Sequence, residues 1–191
     1  MSEHPVTTSS RREQIVGAAV AVFSRYGYRR TSMELLADAA GVSRPALYQH
    51  FRNKKDVLRG VAQLIDAQMG AAARAAVGGT DSLADRLYSV LSIKLETGIG
   101  VADAGHRQEL IAEATALGIT SASPLEGPLA DVLADVPGVK EGAVTAREIA
   151  ALLLDSTVGI GQSDDPPDVL RARLRQLVDL TTRALGQGSS S

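Results

Sequence analysis

The stretch "GVSRPALYQHF", residues 41–51, decides the fold. It sets a helix breaker, a capping serine, a proline and two aromatics in a short span that contains no acidic residue. Ser43 suits a helix N-cap, and Pro45 is tolerated just inside because first-turn N–H groups have no intrahelical acceptor. Leu47 and Phe51 stand four apart, so they share one face of the resulting helix and point inward. Arg44, Pro45, Ala46, Tyr48, Gln49 and His50 are left facing outward. A carboxylate on such a face would be repelled by phosphate. Arg can pair there with guanine and Gln with adenine, while Pro or Ala packs on a thymine methyl.

Upstream, Ile15, Ala18, Ala19, Val22, Phe23 and Tyr26 recur at the helical period, and Gly27 ends that helix. Thr31-Ser32-Met33-Glu34 has capping-box spacing, which predicts Thr31 as the cap of a second helix with Glu34 reaching back. Met33, Leu36, Ala37 and Ala40 form the buried stripe of this helix, and Gly41 closes it. Two short helices joined by "AGVS" behind a longer one have the spacing of a helix-turn-helix. Downstream, Asn53 can cap a fourth helix that buries Val57, Leu58, Val61, Leu64 and Ile65, with Gly78-Gly79 as its stop. Lys54 and Lys55 open that helix at the end where its dipole disfavours cations, which makes sense if an external anion docks there. Thr31 and Ser32 can donate to a second phosphate, and Arg29 and Arg30 add attraction that should fall with salt.

The bulk composition agrees. Net charge is −2. Residues 1–60 nevertheless hold ten Lys/Arg against five Asp/Glu, and the remainder ten against seventeen. A basic end on an acidic body suggests a nucleic-acid partner. All but one of the aromatics, Tyr88, fall in the first 51 residues. There is no cysteine, which excludes disulfides and thiolate chemistry. No continuous apolar run approaches a membrane span and no secretory signal opens the chain, so the expected location is the cytoplasm.

The run from Arg11 to Leu58 resembles the DNA-binding domain of TetR-family transcriptional regulators. The resemblance is carried by Ala18, Ala19 and Phe23, by Gly27-Tyr28 and Thr31-Ser32, and by Ala40-Gly41-Val42-Ser43. Leu47-Tyr48, His50-Phe51, Lys54 and Leu58 complete it. It implies a homodimer that places its third helices in successive major grooves of a near-palindromic operator, about 34–36 Å or somewhat more apart. By resemblance Tyr48 and Lys54 contact phosphate, while Arg44, Pro45, Ala46, Gln49 and His50 face bases or nearby backbone. Two departures matter. Many members carry small residues where this chain has Arg44-Pro45, so base preference is not transferable, and Lys55 replaces a common acidic residue, which strengthens phosphate binding.

The expected architecture is all-α, with about nine helices. A flexible N-terminus (1–10) precedes the helix-turn-helix domain (11–60), a helical effector-binding and dimerisation domain (61–186) and a flexible tail (187–191). Further helices are expected near 82–98, 106–118, 124–135, 146–161 and 167–185. The last two carry broad aliphatic faces: Ile149, Leu152, Leu153, Val158 and Ile160 on one, and Leu170, Leu174, Leu177, Val178 and Leu185 on the other. The resemblance implies that they pack against a second copy as a four-helix bundle. It also implies a small-molecule effector held among the middle helices, for which Tyr88, Leu91, Lys94, Leu95, His106, Glu109, Leu110 and Glu113 are the candidates. With one aromatic among them, an aliphatic or compact ligand fits better than a flat cation. Three scattered histidines make no metal constellation, and no cofactor is expected. "GIGVADAG" (98–105) is not a phosphate loop, and no catalytic signature is present. The expected function is therefore a repressor released from DNA by an effector. The alternative is a helical scaffold whose basic head binds RNA or protein.

Overall fold

The computed structural model describes residues 10–78, 82–100, 104–119, 123–140 and 142–187. Among them ten helices follow one another: α1 (Arg11–Arg30), α2 (Met33–Ala39), α3 (Arg44–His50), α4 (Lys54–Val77), α5 (Leu83–Gly100), α6 (Ala104–Ala116), α7 (Glu126–Ala134), α8 (Pro137–Lys140), α9 (Ala146–Gly161) and α10 (Pro167–Gln187). There is no strand among the described residues. Of the ends expected to be flexible, residues 1–9 and 188–191 lie outside the described residues. Ser10 instead caps α1: its hydroxyl accepts from the Glu13 N–H at 3.3 Å, and the Glu13 carboxylate accepts from the Ser10 N–H at 2.9 Å. α8, which the sequence reading did not anticipate, is a single turn between α7 and α9.

The chain divides into two compact units, residues 1–64 with 105–120, and residues 65–104 with 121–191. In the first, Ile15, Val16, Ala19, Val22 and Phe23 of α1 close on Leu36 and Ala37 of α2, Leu47 and Phe51 at α3, and Val57, Leu58 and Val61 of α4. Each of the larger side chains contributes about 1.5–3 kcal/mol on burial, which holds in place α2 and α3, two seven-residue helices that could not persist alone. Gly41 makes the turn between α2 and α3 at φ +64°, where a side chain would be strained. Its N–H donates to Asp38 O and that of Val42 to Ala37 O, so the last carbonyls of α2 are satisfied as the chain reverses.

The α1–α2 junction departs from expectation. The backbone leaves helical geometry at Gly27 (φ 71°, ψ 173°). Ser32, not Thr31, caps α2, accepting from the Leu35 N–H at 3.1 Å. Thr31 is buried and its hydroxyl donates to Gly27 O at 2.6 Å. With the backbone reversing at Gly27, Thr31 is drawn back over the preceding turn, and the cap falls one residue later.

In the second unit α5 lies at the centre, burying Leu87, Val90, Leu91 and Leu95 among Leu129 and Leu133 of α7, Leu153 and Leu154 of α9, and Leu170, Leu174 and Val178 of α10. Ion pairs clamp α5 to α10. Arg171 Nε and Nη2 grip the two Glu96 oxygens at 2.6 and 2.8 Å, and Arg175 lies 3.7 Å from Asp85 with its guanidinium 3.8 Å over the Tyr88 ring. Among the described residues no helix is long and apolar enough to cross a membrane.

Candidate nucleic-acid interface

α3 begins at Ser43, whose hydroxyl accepts from the Ala46 N–H at 3.3 Å, with Pro45 in the first turn. Leu47 is fully buried and Phe51 nearly so, which fixes the helix about its own axis. Arg44, Pro45, Gln49 and His50 are therefore exposed, Tyr48 is 46% exposed, and Ala46 is half-buried beside them. The exposed face of α3 holds a cation, an amide, an imidazole and a phenol, and no carboxylate. Such a surface can donate to phosphates and read base edges.

Around it the expected phosphate contacts separate. Ser32 is exposed at the start of α2, and its hydroxyl hydrogen remains available while its oxygen caps the helix. Thr31 is corrected: with its side chain 3% exposed and its hydroxyl committed to Gly27 O, it is a structural tie. Lys54 is turned inward too. Its ammonium donates to Tyr28 O at 2.7 Å and Thr31 O at 2.9 Å, and sits 4.2 Å over the Tyr28 ring. Two of its three donors thus hold the α1–α2 turn onto the start of α4, leaving one for a phosphate. Asn53 caps α4, accepting from the Asp56 N–H at 3.0 Å, and Lys55 is half-buried beside it.

Arg29 and Arg30 are exposed, but Arg29 is tethered. Its N–H donates to Glu109 at 2.7 Å and its guanidinium lies 3.5 Å from Glu113, both on α6. Burial, and secondarily the Glu113 charge, raises the Tyr28 phenol above its ordinary pKa. Two features escaped the sequence reading. Arg52 is exposed between α3 and α4, and the charge run Arg52-Asn53-Lys54-Lys55 could have flagged it. The Arg29 tether to α6 spans eighty residues of sequence, so no local pattern signals it.

The effector candidates fall in both units. Tyr88, Leu91, Lys94 and Leu95 belong to the second unit, whereas His106, Glu109, Leu110 and Glu113 belong to the first. Leu91 and Leu95 are corrected to core residues, sealed at 0% and 2% exposure. Glu109 and Glu113 serve the end of α1. Tyr88 has one ring face covered by Arg175, while Lys94, His106 and Leu110 are half-buried.

The dimer candidates divide as well. Leu153, Leu170, Leu174 and Val178 are buried in the chain's own core, which corrects their assignment to an interface. Ile149, Ile160, Leu177 and Leu185 pack partly against that core. Leu152 (62%) and Val158 (38%) are exposed, and Leu180 of α10 (62%), not singled out from the sequence, joins them.

Residues 15–61 match the family described as bacterial regulatory proteins, tetR family. The HTH-type transcriptional activator FasR of Mycolicibacterium smegmatis is 47% identical over 53 residues, covering 28% of this chain and 24% of that protein. The HTH-type transcriptional regulator AcrR of Shigella flexneri is 37% identical over 59 residues, covering 31% and 27%. These matches span about a quarter of the curated relatives' own length. Over the whole fold, the solved structure of the fatty acid degradation regulator FadR from Bacillus halodurans superposes with a TM-score of 0.67 at 18% identity, covering 93% of this chain and 96% of that one. At that identity the likeness establishes the fold alone.

Proposed function

We propose that this chain, whose residues 15–61 match the tetR family of bacterial regulatory proteins, is a member of that family and a cytoplasmic, non-enzymatic DNA-binding transcriptional regulator. Its most economical form is a homodimeric repressor released from a near-palindromic operator by a small molecule. The observation that carries the reading is the outward face of α3: Arg44, Pro45, Tyr48, Gln49 and His50 stand exposed and free of carboxylates over a buried Leu47–Phe51 anchor. In this reading Arg44 and Gln49 read bases, with Pro45, Ala46 and His50 beside them. Tyr48, Ser32, Lys55 and the remaining Lys54 donor hold phosphates, and Arg30 and Arg52 add non-specific attraction.

Dimerisation supports the reading through Leu152 and Val158 of α9 and Leu180 of α10, large apolar side chains left in water by the chain's own core. A second copy packed there would give a two-fold dimer that matches a palindrome. Release requires only that the effector bind better to the conformation that does not fit the operator.

The test is protection of a short palindrome in the DNA upstream of the protein's own coding sequence, with the salt dependence of binding measured alongside. Affinity should fall steeply and log-linearly with salt, as expected when several phosphates are neutralised. Binding that ignores salt, or binding to RNA but not to duplex DNA, would refute the proposal.

A further inference from the structure

We propose that Arg12, in the first turn of α1, is a further contact to the duplex, its guanidinium holding a backbone phosphate at the flank of the α3 footprint. This adds a site to the DNA-binding reading and rests on it. Arg12 is exposed, and its guanidinium carbon lies 4.9 Å from the centroid of the Phe51 ring. Phe51 closes α3, and the residues on either side of it, His50 and Arg52, are both exposed. Phe51 itself is buried, so Arg12 covers its ring from the solvent side, where α3 gives way to α4.

Gly60 on α4 makes the seat. It is buried, and a Cβ there would stand 3.0 Å from Val16 Cγ2, 3.3 Å from Phe51 Cε1 and 3.7 Å from Arg12 Nη2. The bare backbone lets α1 and Phe51 close on α4, and the guanidinium lies over the notch where the three meet. Holding an arginine in one rotamer costs about 2 kcal/mol of side-chain entropy. The stack on Phe51, about 0.5–1 kcal/mol at an exposed site, offsets part of that cost before any DNA arrives.

A stacked guanidinium uses its face and keeps its edge. Phenylalanine has no acceptor, so none of the N–H donors of the Arg12 side chain is spent on the ring. No carboxylate claims them either. Glu13 accepts from the Ser10 N–H at 2.9 Å, and Asp56 pairs with Arg59 at 3.0 Å and accepts from the Arg52 N–H at 3.3 Å. Glu109 and Glu113 serve Arg29, while Glu34 and Asp38 stand exposed on α2. Among the described residues the Arg12 guanidinium has no ion pair. A planar cation with a free in-plane fork suits a phosphate held through two oxygens, and the exposed Arg52 beside Phe51 adds to the local attraction.

The experiment titrates the full chain onto a fluorescent mixed-sequence duplex of about 30 base pairs, at salt from about 50 to about 200 mM. Phosphate contacts carry no sequence information, so such a duplex reports them directly. Arg12→Met keeps the stem over the ring. It should reduce the steepness of log affinity against log salt by about 0.9, one phosphate's share, and weaken binding about fivefold to tenfold at about 0.1 M salt. Arg12→Gln, a second variant in case the first folds poorly, should show the same change, and Arg12→Lys, which keeps the charge, should restore the steepness. Arg25 is the control: it also stacks on an aromatic, Tyr26 at 5.4 Å, but lies about 20 Å further along α1. Arg25→Met removes the same charge and should change the steepness less than half as much. Thermal melts without DNA establish that each variant is folded at the titration temperature. The proposal is overturned if a folded Arg12→Met or Arg12→Gln keeps the parent's salt dependence, if Arg12→Lys fails to restore it, or if Arg25→Met lowers it equally. Those results would leave a salt-sensitive parent, and with it the regulator reading, standing; a parent that ignores duplex DNA would defeat both.

Discussion

Gly27→Ala tests the junction on which the head is built. The glycine sits at φ 71°, ψ 173°, a region essentially reserved for glycine, where a side chain costs about 1–3 kcal/mol. An added Cβ would come 2.5 Å from Glu109 Oε2 and 3.1 Å from His106 Cδ2. The carboxylate is the far end of a flexible side chain, so the clash is relieved by rotating Glu109. That rotation breaks the bond it accepts from the Arg29 N–H at 2.7 Å. A hydrogen bond to a charged group contributes about 1.5–3 kcal/mol, so the substitution should destabilise by about 2.5–6 kcal/mol in all. For a chain of this size each kcal/mol shifts the melting temperature by about 2–4 °C. Urea denaturation followed by far-UV circular dichroism measures the loss, and a double-mutant cycle with Glu109→Ala apportions it. In the Glu109→Ala background Gly27→Ala should be milder by about 1.5 kcal/mol or more, because only the backbone strain remains. An effect below about 0.5 kcal/mol, no larger than that of an ordinary surface substitution, would refute the account of this junction. So would equal penalties in both backgrounds.

Four further outcomes are expected. Leu152→Asp combined with Leu180→Asp should give a folded monomer by light scattering, whereas Leu153→Ala, one residue along, should cost about 2–5 kcal/mol of stability. Tyr48→Ala should weaken binding to all operator sequences alike, while Arg44 or Gln49 substitutions should change base preference by about 1–3 kcal/mol at single positions in a competition assay. Lys54→Met removes two hydrogen bonds and a cation–π contact at Tyr28 while keeping the stem, and should lower the melting temperature without any DNA present. The Glu96 carboxyl is held below its ordinary pKa, chiefly by the Arg171 hydrogen bond. It therefore adds stability above its unfolded pKa of about 4.3 that is lost as pH falls below it, and Glu96→Gln should flatten the acid limb of a stability–pH profile.

The head was legible because its determinants are local. Ser43, Pro45, Leu47 and Phe51 specify cap, first turn and buried face within nine residues, so the outward face of α3 follows by subtraction. The errors there have the same origin. Thr31 and Ser32 are both competent caps, and sequence cannot choose between them. The choice is made by Gly27, whose reversal brings the Thr31 hydroxyl onto its carbonyl. Lys54 read as a free cation because its acceptors, Tyr28 O and Thr31 O, are backbone groups more than twenty residues upstream. Side-chain to carbonyl bonds leave no compositional trace.

In α9 and α10 the difficulty is of another kind. An apolar stripe at the helical period says that a face is buried, not by what. Ala150, Leu153, Leu154 and Thr157 form the stripe of α9, and Leu170, Leu174 and Val178 that of α10, and both are consumed by the unit's own core around α5. Leu152 lies about 200° around the helix from Ala150, and Leu180 about 240° from Leu174, at roughly 100° per residue. Each therefore stands well off the main stripe, among Asp155 and Ser156 on α9 and Gln176 and Arg183 on α10. An apolar side chain on an otherwise polar face gains nothing from the chain that carries it, since no neighbour within that chain removes it from water. If the proposed second copy packs there, its signal lies in the residues that break the periodic pattern rather than in those that obey it.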